Sequence, residues 1–275
     1  MSPFQSSASP TGQWRHLRLE RAGGIATVTL DRPDKLNALT FGAYADLRDL
    51  LAELAHDGET RVLVLGGAGR GFCSGGDVDE IIGATLAMGA GELLGFNRMT
   101  GQVVRAIREA PFPVVAAVHG IAAGAGAVLA LAADFRIVET SARFAFLFTR
   151  VGLAGADMGA AYLLPRMVGL GHATRLLMLG ETVDAAEAQR IGLVSETAAD
   201  GQADAVAAAL AARLAAGPTL AYAQTKALLT AELDMPLAAA VEMDAAAQAL
   251  LMTSADYAEF HAAFTAKRPP RWEGR

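Results

Sequence analysis

Apolar residues along this chain recur with two periods. Runs in which every position is apolar, Val62–Leu65 and Val114–Val118, predict strands covered on both faces. His16–Arg21 and Ile25–Leu30 read as two further strands around Gly23-Gly24, a hairpin signal. Thr40 predicts the N-cap of a helix running to about His56, with Leu47, Leu50, Leu51 and Leu54 on one face. A second helix over Gly91–Ala110 is ended by Pro111 and Pro113. Gly120–Gly126 predicts a turn into a helix that runs to Ala132, and Phe135–Val138 a strand. A short extended piece follows Ala142, then a loop over Arg150–Ala156. Strands alternating with helices predict an α/β fold with a largely buried sheet.

The pattern changes near residue 198. Gln202–Ala216, Thr219–Ala231, Pro236–Met252 and Ala255–Ala266 are helical throughout, with no strand between them. The chain therefore divides into a Ser/Pro-rich, disordered tail over 1–13, a core domain over 14–198 and a helical region over 199–275. Leu210, Leu214, Leu228, Leu229, Met243, Leu250 and Leu251 lie on the alanine-rich helices. These helices either pack on a core of their own or also meet other subunits.

Composition narrows the classes. Net charge is −6, which argues against nucleic acid as a partner and against a polybasic membrane anchor. The single cysteine, Cys73, excludes an intrachain disulfide and a Cys zinc cluster, and suits a cytoplasmic setting. The stretch 114–135 is long enough to cross a bilayer, but His119 interrupts it and Gly120, Gly124 and Gly126 cluster within it. A strand, a turn and a buried helix fit that pattern better, and no membrane span is expected. No group of His, Asp and Glu has metal-ligand spacing, so no metal is expected.

Two glycine-rich turns, Gly66–Asp77 and Gly120–Gly126, each join a buried strand to a helix. Neither ends in the Gly-Lys-Ser/Thr of a nucleotide phosphate loop. The first amides of a helix lack internal partners and carry partial positive charge. Two such amides converging on one oxygen form an oxyanion hole made of backbone alone. Tight strand–helix packing through glycine explains the same spacing.

Five stretches then occur in order: "LDRPDKLNAL" at 30–39, "GFCSGGDVDEI" at 71–81, "PVVAAVHGIAAGAGAVLALAADFRI" at 113–137, "ARFAFLFTRVGL" at 142–153 and "AAEAQRIGLVSE" at 185–196. In these the sequence resembles the crotonase superfamily, the enoyl-CoA hydratase/isomerase group, over about residues 15–268. The resemblance implies a ββα-spiral core with a C-terminal α-helical trimerisation region, and assembly as a homotrimer or a dimer of trimers. It implies an acyl-CoA substrate, with coenzyme A entering as part of that substrate and no separate cofactor. Its two oxyanion amides map to Gly76 and Ala125. Arg32, Lys35, Leu36 and Ala38 map to the adenine and pantetheine site, and Lys267 to a contact with the CoA phosphates. Solvated surface charge accounts equally for Arg32 and Lys35, and a free tail for Lys267. Fatty-acid or aromatic-acid degradation is the metabolism so implied.

The resemblance also exposes a departure. The two glutamates typical of enoyl-CoA hydratases map to Val128 and Phe148, neither of which transfers protons. One acid remains, Asp157 in "GLAGADMGAAYLLPR", where some isomerases and a dehalogenase of the superfamily carry an aspartate. A single carboxylate suits enoyl-CoA double-bond isomerisation, taking a proton from one carbon and returning it two carbons away. A hydratase that uses Asp157 to activate water is the alternative, and a non-catalytic acyl-CoA-binding or scaffold protein is a third reading. Asp157 is also a good helix N-cap. Asp77, Asp79 and Glu80 suit a helix start, His119 a satisfied core position, and Cys73 a structural role.

Overall fold

The structure is a computed structural model that describes residues 14–274; the tail expected over 1–13 lies outside the described residues. Strands β1 (Leu17–Ala22) and β2 (Ile25–Leu30) form the hairpin, and helix α1 (Phe41–Leu54) begins where Thr40 Oγ1 accepts the Ala43 N–H at 3.1 Å. Then come β3 (Val62–Gly67), a short helix α2 (Gly83–Thr85) continuing a π-helical turn over Val78–Ile82, α3 (Ala90–Glu109) and β4 (Val114–Val118). Strand β5 (Ile121–Ala123) leads into α4 (Ala125–Ala132), followed by β6 (Phe135–Glu139) and β7 (Arg143–Ala145). Helices α5 (Ala160–Val168) and α6 (Leu170–Leu179), strand β8 (Thr182–Asp184), helix α7 (Ala185–Arg190) and strand β9 (Glu196–Ala198) complete the two sheets. Helices α8 (Ala203–Ala215), α9 (Thr219–Ala231), α10 (Leu237–Leu251) and α11 (Ala255–Thr265) end the chain.

The larger sheet has the order β1-β2-β3-β4-β6-β9 and is parallel except at the β1–β2 hairpin. Its central strands alternate between two cores. Leu63, Leu65, Val114, Ala116 and Val118 pack in the main core with α1, α3 and α4, while Val62, Val64, Val115 and Ala117 face Ala203, Ala207, Ala211 and Leu214 of α8. The period of two in a strand makes both faces apolar, which is why these strands read as unbroken apolar runs. Helix α8 is thus packed on the sheet, although it follows the compositional change near residue 198.

The smaller sheet, β5-β7-β8, holds a strand that the sequence reading placed inside a turn. Ile121–Ala123 is too short to show a period of its own. It is a strand because Cys73 pairs on one side and β7 on the other, with Ile121 opposite Arg143.

The last three helices behave differently from α8. Among the described residues, Leu229, Leu237, Leu250 and Phe264 are 64%, 79%, 72% and 75% exposed, so their apolar faces find no core within the chain. A buried lysine ties α9 to the core: Lys226 Nζ donates to the Ile107 carbonyl at 2.8 Å and the Phe112 carbonyl at 3.0 Å, and pairs with Asp134 at 2.8 Å. No single helix among the described residues is long and apolar enough to cross a membrane.

Because β3 and β4 are parallel neighbours, the loops that leave them emerge on one side, beyond the carboxyl ends of the strands. A third loop, 31–40, is fastened to the first by Asn37. Its buried side chain accepts the Arg32 N–H at 2.9 Å and donates to the carbonyls of Ala68, Gly71 and Phe72 at 2.8, 2.8 and 3.1 Å. Asn37 is itself left-handed, with φ 56, a conformation asparagine tolerates better than most residues. Asn37→Ala therefore strands two buried and two part-buried backbone groups and strains the loop. It is expected to destabilise the protein by about 3 kcal/mol, read as a lower urea midpoint at unchanged m-value.

Candidate active site

The segment 72–77 runs between two neighbours. On one side Ser74 N–H bonds Leu36 O at 2.9 Å, Leu39 N–H bonds Gly75 O at 2.8 Å and Asp77 N–H bonds Leu39 O at 2.8 Å. On the other, Cys73 N–H bonds Ile121 O at 3.0 Å and Ala123 N–H bonds Cys73 O at 2.9 Å. The alternation of an extended chain slips by one residue at Gly75, where φ is +106. A left-handed turn of that kind is open to glycine and strained for other residues. Leu39 forms a parallel bridge with Gly76 through the groups of Gly75 and Asp77, so the Gly76 N–H points the opposite way, toward residues 123–125. There the neighbouring chain has already left the ladder to begin α4.

Two amides are thereby left over. Gly76 has lost its strand partner, and Ala125 is the first residue of α4, where no intrahelical acceptor exists. Among the described residues neither N–H has a backbone acceptor. The two stretches touch: a β-carbon built on Gly75 lies 3.7 Å from the Ala125 nitrogen. Gly126 makes this approach possible, since a β-carbon there would overlap the Cys73 carbonyl oxygen. Gly76 is exposed and Ala125 buried, so the pair lies at the floor of an accessible site.

Electrostatics favour an anion at this end of α4. The guanidinium of Arg136, 6% exposed, occupies the opposite end, donating to the carbonyls of Ala133 and Leu193 at 2.6 Å each and of Leu131 at 3.5 Å. Burial lowers its pKa to about 10, which still leaves it charged at neutral pH. A cation at the carbonyl end and free amides at the other complement the helix dipole.

Asp157 is the acid of this neighbourhood. It opens a short 3-10 turn, Asp157–Gly159, which packs on α3 and α4. The cap alternative is corrected here. The N-cap position of α5 is Gly159, no side chain caps the helix, and Asp157 Oδ1 accepts only the adjacent Met158 N–H at 2.8 Å. Desolvation raises the Asp157 pKa, opposed by that one hydrogen bond. Among the described residues no basic side chain pairs with it. Buried Tyr44 stands near Gly76, where a β-carbon would lie 3.9 Å from its hydroxyl, and burial, then Cys73, then Asp157 push that hydroxyl well above its ordinary pKa. Tyr44 carries no signal of its own in the sequence, because a tyrosine on the apolar face of α1 has the spacing of any core residue.

The two positions where hydratases of this resemblance carry glutamates are apolar and buried: Val128 within α4, and Phe148 in the 3-10 turn Leu147–Val151. Asp77 caps the π-helical turn, accepting from Asp79 and Glu80 N–H at 3.1 Å each, and pairs with Arg32 at 3.0 Å. Burial works to raise its pKa, but the Glu80 N–H and Arg32 hold it below the ordinary value. Glu80 caps α1 by accepting the Phe41 N–H at 3.0 Å. Cys73 is buried, donates to the Asn37 carbonyl, and has its pKa pushed by desolvation to about 12, the state of an inert thiol. His119 is satisfied by the Gly69 carbonyl at 3.0 Å, at a partly exposed position and not in the core as expected.

The remaining candidates separate. Arg32 is engaged inside the protein, with the Ala38 carbonyl and Asp77. Lys35 is exposed, 3.4 Å from Asp79, and is the loop's outward cation. Leu36 is left-handed at φ 49 and partly exposed, while Ala38 is buried. Lys267 follows α11 with φ 52 and bonds the Phe264 carbonyl. Among the described residues no hydrogen bond or ion pair joins it to loop 32–38.

Comparison with known proteins places this geometry. The family model for enoyl-CoA hydratase/isomerase matches residues 20–275. A protein of Rhodobacter capsulatus described as a probable enoyl-CoA hydratase is 42% identical over 94% of this chain and 98% of its own. The 1,2-epoxyphenylacetyl-CoA isomerase of Escherichia coli K12 is 36% identical over 92% and 96%. A crystal structure described as an enoyl-CoA hydratase from Streptomyces coelicolor A3(2) is 76% identical, covers all of both chains and superposes with a TM-score of 0.95. A glycine-built pair of free amides at the start of α4, with a desolvated carboxylate in a turn packed on that helix, thus sits in a chain that belongs to the enoyl-CoA hydratase/isomerase family of the crotonase superfamily.

Proposed function

We propose that this enzyme catalyses double-bond isomerisation of an enoyl-CoA thioester, with Asp157 as the single proton shuttle. The observation that carries this reading is the replacement of both hydratase glutamate positions by buried Val128 and Phe148, with Asp157 left desolvated in a turn that packs on α4. The thioester oxygen accepts the Gly76 and Ala125 N–H groups. The Asp157 carboxylate takes a proton from the carbon between the thioester and the 3-ene, and the electron pair moves onto the oxygen as a dienolate. The same carboxyl returns the proton two carbons away, giving the 2-ene and restoring the carboxylate. Each amide donor contributes about 10²–10³ in rate in sites of this kind.

The isomerase name of the Escherichia coli relative supports this choice. The hydratase name of the Rhodobacter relative supports the other, in which Asp157 activates water. Lys35, Leu36 and Ala38, with Arg32 as the internal fastening of their loop, line the CoA approach in this proposal. Lys267 meets the CoA phosphates. The exposed apolar faces of α9, α10 and α11 support assembly as a homotrimer or a dimer of trimers.

Paired 2-enoyl- and 3-enoyl-CoA substrates, followed in the ultraviolet for conjugation with the thioester, test the reading. Migration without hydration is expected, and hydration at full hydratase rates overturns it. Asp157→Asn is expected to lower kcat by about 10²–10⁴-fold while CoA thioesters still bind. As the base must be ionised, kcat/KM is expected to fall as pH drops through the raised Asp157 pKa. That acid limb lies above the ordinary aspartate value of about 3.9.

Linkage gives a second outcome. The folded state holds the Asp157 proton more tightly than the unfolded chain, so ionising it costs stability as pH rises through this window. Asp157→Asn removes that cost. The inactive variant is expected to melt at a higher temperature than wild type at neutral pH, with the gap closing toward acid pH.

A further inference from the structure

Tyr44 lies on the buried face of α1, 3% exposed, and its ring meets Phe96 of α3 edge-on at 5.8 Å. The ring belongs to the core; the hydroxyl does not. Among the described residues no hydrogen bond engages it, yet its oxygen is not one of the sealed polar atoms that lack a partner, which are Arg108 Nε, Arg175 Nε and Glu232 Oε1. The hydroxyl therefore opens on a space that an atom of a ligand or a water can enter. A buried phenol ordinarily finds a partner within the fold, and this one keeps its donor free. Its position is fixed by Gly76. A β-carbon on Gly76 would meet Ile81 Cγ1 at 3.8 Å and the Tyr44 hydroxyl at 3.9 Å, and of the two only Tyr44 has a hydrogen to donate. The groups whose charge this hydroxyl feels do not accept from it: Cys73 Sγ is committed to the Asn37 carbonyl, and the Asp157 carboxylate to the Met158 N–H.

We infer that Tyr44 is a further catalytic residue of this site, a side-chain donor that joins the Gly76 and Ala125 amides in holding the thioester oxygen as negative charge develops on it. The inference rests on the acyl-CoA reading of the site and not on the choice between migration and hydration, since both develop that charge. Electrostatics account for a phenol in this place. When the substrate proton is taken, it resides on Asp157, and the negative charge passes from the carboxylate to the thioester oxygen. The surroundings of Tyr44 are thus negative before and after the step. Burial and that charge keep the phenol protonated, so it remains a donor throughout and transfers no proton. A lysine or arginine here would instead pair with Asp157 and weaken it as a base.

Tyr44→Phe removes the hydroxyl and keeps the ring contact, and acetoacetyl-CoA is the probe. Its enolate absorbs in the ultraviolet apart from its keto form and places part of the charge on the thioester oxygen. At one neutral pH the enolate-to-keto ratio of the bound probe is expected to fall about tenfold in Tyr44→Phe, the difference between a hydrogen bond to a charged oxygen and one to a neutral oxygen. Butyryl-CoA, which does not ionise, is expected to bind within about fivefold of wild type by calorimetry. kcat is expected to fall by about the same factor as the enolate ratio, with KM inside the range set by butyryl-CoA. The melting temperature is expected to hold or rise, because the substitution strands no group of the fold. A folded Tyr44→Phe protein with the wild-type enolate ratio overturns the inference. So does a variant that melts well below wild type, since it shows the hydroxyl to be bonded within the fold. Failure of both proteins to bind either thioester overturns the acyl-CoA reading itself, and this inference with it.

Discussion

The first turn of α4 rests directly on the carbonyl of Cys73, and the rest of the site depends on that contact. Gly126 leaves no β-carbon in the way, so α4 begins where the ladder between residues 73 and 122 ends. A side chain there would push the helix off the segment that carries Gly76. The amide of Gly76 is free because its neighbour turned into a helix, and the amide of Ala125 is free because it is that helix's first residue. One close packing contact thus produces two unsatisfied donors side by side. Unpaired amides are costly when buried in apolar surroundings, and they suit a site where a ligand's oxygen supplies the missing acceptor.

The loops around this contact are rigid for reasons that need no ligand. Asn37 ties loop 31–40 to loop 68–77 with three side-chain hydrogen bonds and closes its own loop with a fourth, from the Arg32 N–H. The Arg32–Asp77 pair, largely buried, closes the same junction. At the far end of α4, Arg136 satisfies carbonyls that would otherwise be buried and unpaired. These groups hold the amides in place before any thioester arrives. Preorganisation of that kind lets a backbone donor stabilise developing charge without reorganising at the moment of reaction.

Asp157 illustrates the opposite economy. Its carboxylate is desolvated, has one hydrogen bond and pairs with no cation among the described residues. The fold stabilises its neutral form at the expense of the charged one, and a base of raised pKa is the result. The residue next to it, Met158, carries backbone strain at φ 52. Strain and desolvation concentrate here while the clamps of the surrounding loops are fully satisfied.

Much of this was legible in the sequence. Strands β3 and β4, the Gly23-Gly24 hairpin, the Thr40 cap and the four C-terminal helices follow from local rules: apolar period, turn chemistry and side-chain capping act within a few residues. The ordered motifs identified the family, and the apolar residues at 128 and 148 marked the departure from a two-glutamate site. The tertiary structure decided the rest. Strand β5 exists only because Cys73 and β7 lie on either side of it. Asp157 is a turn residue and not a cap, because α5 starts three residues later, with Gly159 at its N-cap. The burial of Tyr44 beside Gly76 and the desolvation of Asp157 are created by elements far apart in the chain. Periodicity records which face of an element is buried, a property of neighbours in sequence. Free amides, desolvation and cavities are properties of neighbours in space, and only the packed chain fixes those.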